Sequence, residues 1–252
     1  MRSSLNIFIF TFTGFVLTYG KMIPEYFPLC NRYDKNLNDC LLTATETIKP
    51  YLSKGIPELK IPSFEPFIIP EINLEQGTSA LNFKATLINT EIYGLTDYTF
   101  TRFDFDVSNL QFFCDCNINC LTLKGNYTVS GKIFVAPILG SGTFTASVEN
   151  CNASVYQKVK IEKLRNDKDF IVPTLTNSSI NVSGPKANLQ GLFNGNKQLS
   201  EITNKIINDN INELFQDLKP VLEKIMTEII EDMLLKAIEG QVPFDELYPP
   251  LP

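Results

Sequence analysis

The C-terminal stretch 199–239, LSEITNKIINDNINELFQDLKPVLEKIMTEIIEDMLLKAIE, decides the fold. Its apolar residues recur at spacings of three and four, which is typical of an α-helix, and Gly240 ends the pattern. A continuous helix of this length spans roughly 60 Å. A compact globule of this chain's size is only about 45 Å across. The stretch therefore predicts an elongated molecule, a helix kinked at Pro220, or both.

The apolar stripe of this helix is wide. Between Val221 and Leu234 the apolar pairs repeat every four residues, so the stripe advances by about 40° with each pair. A coiled coil is one alternative, but a strict heptad seam and its charge pattern are absent from the sequence. So wide an apolar arc needs partners on more than one side of the helix.

The middle of the chain supplies candidate partners, because it alternates apolar and polar residues as half-buried strands do. Segments 81–87, 103–107 and 121–135 have a period of two and predict long antiparallel strands. Segment 143–164 alternates as well but changes parity midway, which predicts a bulge that bends the sheet. Segment 170–183 predicts a further, weaker strand. These strands predict a strongly curved antiparallel sheet wrapped around the helix.

The region before the strands begins with helical spacing over 36–53, ended by Gly55-Ile56-Pro57. Prolines at positions 57, 62, 66 and 70 then predict an extended connector. The fold class is accordingly α+β: an elongated single domain with a long C-terminal helix inside a curved sheet.

Residues 1–20 have the layout of a secretory signal peptide, with a basic start, an apolar run and small residues up to Gly20. A membrane anchor is the alternative, but the apolar run is shorter than the roughly 18 residues it requires. We therefore expect 21–252 to form a secreted, extracellular domain without stable membrane insertion. The predicted N-glycosylation acceptors are Asn126, Asn152, Asn177 and Asn181.

Six cysteines, an even number, indicate disulfides in an oxidising compartment. Cys30 and Cys40 are expected to pair, and so short a loop stabilises by about 3 kcal/mol at most. The remaining cysteines favour two disulfides between neighbouring strands over a zinc site; they are Cys114, Cys116, Cys120 and Cys151. Cys114 and Cys116 share a strand face and suit each other poorly, so one of them is expected to meet Cys151.

The composition argues against several functions. Without histidine, Ser-His-Asp and Cys-His catalysis and histidine zinc sites are excluded. A net charge of −6 argues against a nucleic-acid partner. The carboxylates of Glu228, Glu231 and Asp232 fit a solvated helix face better than a catalytic pair. We expect no catalytic residues, no metal and no cofactor, and therefore no enzymatic activity.

Several stretches together resemble the insect juvenile hormone binding protein and takeout family. The resemblance is carried by Cys30 with 38–41 (NDCL), by 55–67 (GIPELKIPSFEPF), by Gly94-Leu95, by 123–127 (LKGNY) with 131–133, and by 192–196 (LFNGN) followed by 207–210 and 218–220. It implies a long helix wrapped in a curved antiparallel sheet, with a hydrophobic tunnel between them. It also implies carriage of small lipophilic ligands in extracellular fluid.

The leading hypothesis is a secreted carrier for a small elongated lipophilic ligand, such as a juvenile-hormone-like terpenoid, a fatty acid or a similar lipid. A receptor or a second carrier is a possible further partner. The alternative is a secreted structural or signalling protein that acts through its surface, with no internal ligand. The residues expected to line the tunnel are Phe64, Phe83, Leu87, Phe103, Phe105, Tyr127, Phe134, Phe144, Phe215, Leu222, Met226, Ile230 and Met233.

Overall fold

The computed structural model describes residues 23–77, 81–134, 136–164, 167–239 and 242–250. The predicted signal peptide at 1–20, Val135 and Gly240 lie outside these ranges. The helices are α1 (Leu37–Leu52), α2 (Lys197–Asp209), α3 (Ile211–Glu239) and α4 (Phe244–Leu247). The strands are β1 (Phe67–Gly77), β2 (Leu81–Tyr93), β3 (Tyr98–Asp106), β4 (Gln111–Ile133), β5 (Ala136–Lys163) and β6 (Asp169–Leu189).

The strands form one antiparallel sheet in the order β1-β2-β4-β5-β6. Strand β3 continues the line of β2 along the same side of β4, pairing with its first half. Each predicted strand segment corresponds to one of β2 to β6, and the helix predicted over 36–53 is α1. The predicted α+β fold with a curved antiparallel sheet is thus confirmed. The predicted extended connector holds a 3-10 turn at Pro57–Leu59 and the start of β1, so β1 was missed as a strand.

The parity of the buried positions changes along a line that crosses the sheet. In β5 the buried positions change from even to odd between Phe144 and Cys151, and its register with β6 shifts beside Glu149, which confirms the predicted bulge. The other long strands change parity along the same line. The changes fall between Phe67 and Ile72 in β1, Phe83 and Thr90 in β2, Ile118 and Tyr127 in β4, and Val182 and Ala187 in β6. Along this line the register shifts between β2 and β4 and between β5 and β6, and it stays constant between β1 and β2 and between β4 and β5. Because a bulge increases bend and twist, the line forms a crease.

The crease is marked by backbone with positive φ. Asn89 and Asn150 both have φ 50, and Gly184 has φ 57. Asparagine and glycine tolerate this left-handed region better than other residues, so the sequence permits the bend where it occurs. The bulges keep the apolar residues on the concave face of the sheet on both sides of the crease.

The prediction of one continuous helix over 199–239 was wrong. The helix is divided at Asn210, which has φ −120 and ψ 20, into α2 and α3. The Asn210 side chain donates to the Ile206 carbonyl at 2.8 Å, and its own carbonyl accepts the Leu214 N–H at 3.1 Å, so it ends one helix and begins the next. Pro220, where a kink was considered, lies within α3.

Helix α2 replaces a neighbouring strand at the β6 edge of the sheet. The Asn204 side chain accepts the Leu189 N–H and donates to the Leu189 carbonyl, both at 2.8 Å. One turn later Asn208 does the same with Ala187, at 3.0 and 2.7 Å. The two asparagines, four residues apart, therefore satisfy the backbone N–H and carbonyl of both Leu189 and Ala187. These backbone groups face outward at the edge of the sheet and would otherwise be unpaired.

Helix α3 joins the two edges of the sheet. On β6, Ile180 N–H donates to the Glu223 carboxylate at 3.0 Å and the Ser178 hydroxyl donates to the Glu223 carbonyl at 2.6 Å. On β1, the Gln76 amide donates to the Asp217 carbonyl at 3.0 Å. Because both edges reach the same two turns of α3, the sheet has to curl around the helix.

The six cysteines behave differently from the prediction in one respect. Cys30 and Cys40 are bridged as predicted, whereas Cys114, Cys116, Cys120 and Cys151 are free thiols, so the predicted disulfides among them are corrected. The register places Cys116 opposite Ala153 and Cys151 opposite Ile118. Cys116 and Cys151 are therefore diagonal neighbours on β4 and β5. The Cα atoms of diagonal neighbours lie about 7 to 8 Å apart, which exceeds the reach of a disulfide.

We predict that Asn208→Ala lowers the free energy of unfolding by about 2 kcal/mol, because the Ala187 N–H and carbonyl both lose their partner. Urea unfolding measures the change. Lys205→Ala is the matched control, since Lys205 lies on the same helix and pairs with Asp209 at the surface; it should change stability by less than about 0.5 kcal/mol. Equal losses for the two variants would contradict this role of Asn208.

Candidate ligand-binding site

The concave face of the sheet carries three apolar clusters that follow one another along the molecule. The first is built from sheet residues beyond the crease together with α2 and α3, and it includes Phe83, Tyr127, Phe144, Ile207 and Leu214. The second lies on the other side of the crease. The third lies at the far end, where α1 and α4 meet the sheet. The sheet thus contributes apolar side chains to all three clusters.

The structure distributes the predicted tunnel residues of the strands and the connector over these clusters. In the first cluster, Phe83, Tyr127 and Phe144 are buried, and Leu87 and Phe134 pack against them. Phe64 packs against the second cluster. Phe105 is buried in the third cluster, where Phe103 packs against it. Every one of these eight predicted residues therefore takes part in an apolar cluster of the domain.

Helix α3 supplies the opposite wall. Leu218, Val221 and Ile225 pack against the first cluster and Leu234 against the third. The remaining predicted residues of this helix stay half-buried and belong to none of the three clusters; they are Phe215, Leu222, Met226, Ile230 and Met233. The central turns of α3 thus present apolar side chains whose surface is not fully covered by the protein.

Sequence reasoning missed part of the apolar wall. Ile72 and Leu74 of β1 are buried in the first cluster, although the prolines around them suggested a connector. Their spacing of two was the signal that could have identified them. Phe244 and Tyr248 of the C-terminal segment lie in the third cluster, and the sequence offered no pattern that places them there.

The third cluster closes the far end with aromatic rings. Phe105 and Phe112 stack with ring centroids 4.1 Å apart, and Tyr248 lies 5.1 Å from Phe105. Arg32 fixes the C-terminal segment from outside: its guanidinium donates to the Asp245 carboxylate at 2.6 Å and to the Tyr248 carbonyl at 2.9 Å. Burial raises the pKa of Tyr248, so its hydroxyl stays neutral.

Of the free thiols, Cys151 is buried in the second cluster, whereas Cys120 is exposed. Burial, together with the neighbouring Cys116, raises the pKa of Cys114 to about 12, and burial with Cys151 raises that of Cys116 to about 11. Thiols with such pKa values remain protonated at neutral pH and behave as small apolar groups. Among the described residues, no group of three or more His, Cys, Asp or Glu side chains is arranged to hold a metal ion.

Glu65 ties the connector to the turn after β2. Its carboxylate accepts the Thr96 N–H at 2.9 Å, the Thr96 hydroxyl at 2.8 Å and the Gly94 N–H at 3.0 Å. Burial raises the pKa of Glu65, but these hydrogen bonds together lower it below its ordinary value. The charged carboxylate thus stabilises the turn beside the second cluster.

We predict that Glu65→Gln lowers the free energy of unfolding at pH 7 by about 1 to 3 kcal/mol, because an ionised acceptor is lost. The pKa of Glu65 is lower in the folded state than in the unfolded state. The contribution of Glu65 to the free energy of unfolding is therefore complete at pH values above its pKa in the unfolded state, and it is lost as the pH falls through its pKa in the folded state. The difference between the variant and the original protein should therefore shrink below the ordinary pKa of 4.5. Urea unfolding at several pH values measures it.

The exposed Glu201→Gln on α2 is the control and should show neither effect. A Glu65→Gln variant whose stability deficit stayed constant down to pH 3 would contradict the role assigned to the carboxylate.

A cavity of about 550 Å³ lies outside this apolar face, between the end of β6 and α2. Most of its lining residues have polar side chains, including Gln190, Lys197, Glu201 and Asn204. Such a lining does not suit the elongated apolar ligand that the sequence predicts. The apolar faces of the sheet and α3 remain the better candidate site.

A curled antiparallel sheet closed on a helix, with apolar side chains on both facing walls, defines a class of proteins that enclose lipophilic molecules. The sequence profile of the family described as haemolymph juvenile hormone binding protein matches residues 7–249. The chain therefore belongs to this family, whose members carry lipophilic ligands. No helix of the described residues is long and apolar enough to cross a membrane.

Individual relatives agree with this assignment. The circadian clock-controlled protein daywake of Drosophila melanogaster is 22% identical over 232 residues, covering 89% of this chain and 88% of the fly protein. A putative beta-carotene-binding protein of Schistocerca gregaria is 23% identical over 203 residues, covering 79% of each chain. The crystal structure of Takeout 1 from Epiphyas postvittana superposes with a TM-score of 0.72 at 23% identity, covering 87% of this chain and 98% of that one. The similarity to Takeout 1 confirms the fold.

Proposed function

We propose that this protein is a secreted carrier that holds one elongated lipophilic molecule between the concave face of the sheet and α3. A terpenoid, a fatty acid or a similar lipid would fit, bound without covalent chemistry. The observation that carries the proposal is the half-buried apolar surface on the central turns of α3, beside the helix residues that pack against the first cluster. Membership of a carrier family and the carotenoid-binding name of one relative support it.

The physics of such a site is burial of apolar surface. About 300 Å² of ligand surface at roughly 25 cal/mol/Å² gives ~8 kcal/mol before the cost of association. Subtracting several kcal/mol for lost translation and rotation leaves affinities from about micromolar to tens of nanomolar. Met226 and Met233 of α3 can change conformation to fit ligands of different shape, because their unbranched side chains have many rotamers.

Secretion is supported by three features. The pattern of residues 1–20 is that of a signal peptide. The bridge between Cys30 and Cys40 is expected in an oxidising compartment. The four predicted glycosylation acceptors, Asn126, Asn152, Asn177 and Asn181, are all exposed. The net charge of −6 disfavours contact with anionic membranes, so ligand transfer would proceed through solvent or at a receptor.

The direct test is extraction of the protein, purified from its native fluid, with organic solvent, followed by mass spectrometry. We expect a lipid in near-stoichiometric amount, and we expect the stripped protein to take up an apolar fluorescent probe. Absence of both would contradict the carrier function and would favour a protein that acts through its surface.

We predict that Leu222→Trp weakens binding of an apolar fluorescent probe by about tenfold, because the larger side chain fills space at the helix wall. Leu235→Trp is the matched control, since Leu235 lies on the same helix but is 45% exposed. Probe titration measures both affinities, and circular dichroism verifies that both variants are folded. Retained affinity in folded Leu222→Trp, or an equal loss in the control, would place the probe elsewhere.

A further inference from the structure

We propose that Thr90 is the polar anchor of this site, with a hydroxyl that bonds an oxygen atom of the bound lipid. The inference rests on the proposed function and deepens it. It assigns the ligand to lipids that carry a hydroxyl or carbonyl group within an otherwise apolar chain. A pure hydrocarbon of the same shape would bind less well.

The starting observation is a buried hydroxyl without a partner. Thr90 is 0% exposed, and its hydroxyl oxygen has no hydrogen-bond partner among the described residues. Nearly all buried polar groups in proteins are hydrogen-bonded, and an exception calls for an explanation such as a ligand. Other buried polar side chains of this domain are satisfied, because Thr45 donates to the Leu42 carbonyl and Gln157 to the Thr176 hydroxyl.

The register shows that Thr90 projects into the concavity. Thr90 lies directly opposite Ile69 of β1, and directly paired residues project to the same face of a sheet. Ile69 packs against the first cluster, so Thr90 is on that face as well. Thr90 is the residue directly after Asn89, whose positive φ of 50° marks the crease in β2.

The crease also explains why no neighbouring strand satisfies the hydroxyl. The pairing of β2 with β4 is interrupted between Ile88 and Glu91, so Thr90 has no directly opposite residue on β4. Its neighbours on the same face of β1 and β2 are apolar, namely Phe67, Ile69 and Ile92. An oxygen atom of a bound lipid would supply the partner that these neighbours do not.

The site is not an open pocket in this structure, because the hydroxyl is enclosed. Leu87 and Leu123, which pack against the first cluster, are only half-buried. A ligand that displaces such side chains from the crease would reach the hydroxyl. A threonine hydroxyl both donates and accepts, so it matches an alcohol or a carbonyl equally well.

Farnesol and farnesene provide the test, since they share a carbon skeleton and only farnesol carries a hydroxyl. Affinities are measured by displacement of an apolar fluorescent probe from the stripped, full-length secreted protein. In Thr90→Val we expect farnesol to bind roughly tenfold more weakly, with farnesene unchanged, because one hydrogen bond is lost without loss of shape. Thr90→Ser should retain the preference for farnesol, and Thr122→Val on the exposed face should behave like the original protein.

The unliganded variant gives a second readout. Since the hydroxyl has no partner among the residues that the structure describes, Thr90→Val should leave the thermal midpoint of the stripped protein unchanged or raise it. Equal changes in affinity for farnesol and farnesene, or a lowered midpoint in Thr90→Val, would overturn the anchor. Failure of the original protein to bind either compound, or any other apolar probe, would instead contradict the proposed carrier function itself.

Discussion

The hydrogen bonds that Asn204 and Asn208 make with the backbone of β6 are the constraint on which the rest of the structure depends. An edge strand presents unpaired N–H and carbonyl groups that would otherwise recruit another strand. Here a helix takes the place of that strand, and the chain continues directly into α3. Because α3 also meets β1 through Gln76, its position fixes both edges and therefore the curl of the sheet.

The curl creates an interior with two different walls. The sheet wall is bent at the crease, where the long strands change parity and so keep apolar side chains on the concave face. The helix wall keeps apolar side chains partly uncovered along its central turns. Well-filled cores leave few gaps, so this incomplete coverage favours a carrier over a solid domain. Thr90, at the crease, adds a buried hydroxyl that has no partner among the described residues.

The sequence predicted those elements whose side chains follow one period. Helix α1, strands β2 to β6 and the parity change in β5 were all visible as spacings of two or of three and four. The division at Asn210 was not visible, because it depends on one asparagine side chain competing for backbone groups within an apolar pattern that continues unbroken. Strand β1 was hidden by its prolines. The place of Thr90 depends on register and bulges, which no local pattern specifies.

Methyl NMR of the protein labelled at methionine tests most directly whether ligand lies between α3 and the sheet. A fatty acid with a nitroxide near the end of its chain would be added to the stripped protein until binding is saturated. We expect strong paramagnetic broadening of the Met226 and Met233 methyl signals, because both residues are half-buried on the apolar side of α3. Signals from both methionines that stay sharp while the fatty acid is bound would contradict a ligand site between α3 and the sheet.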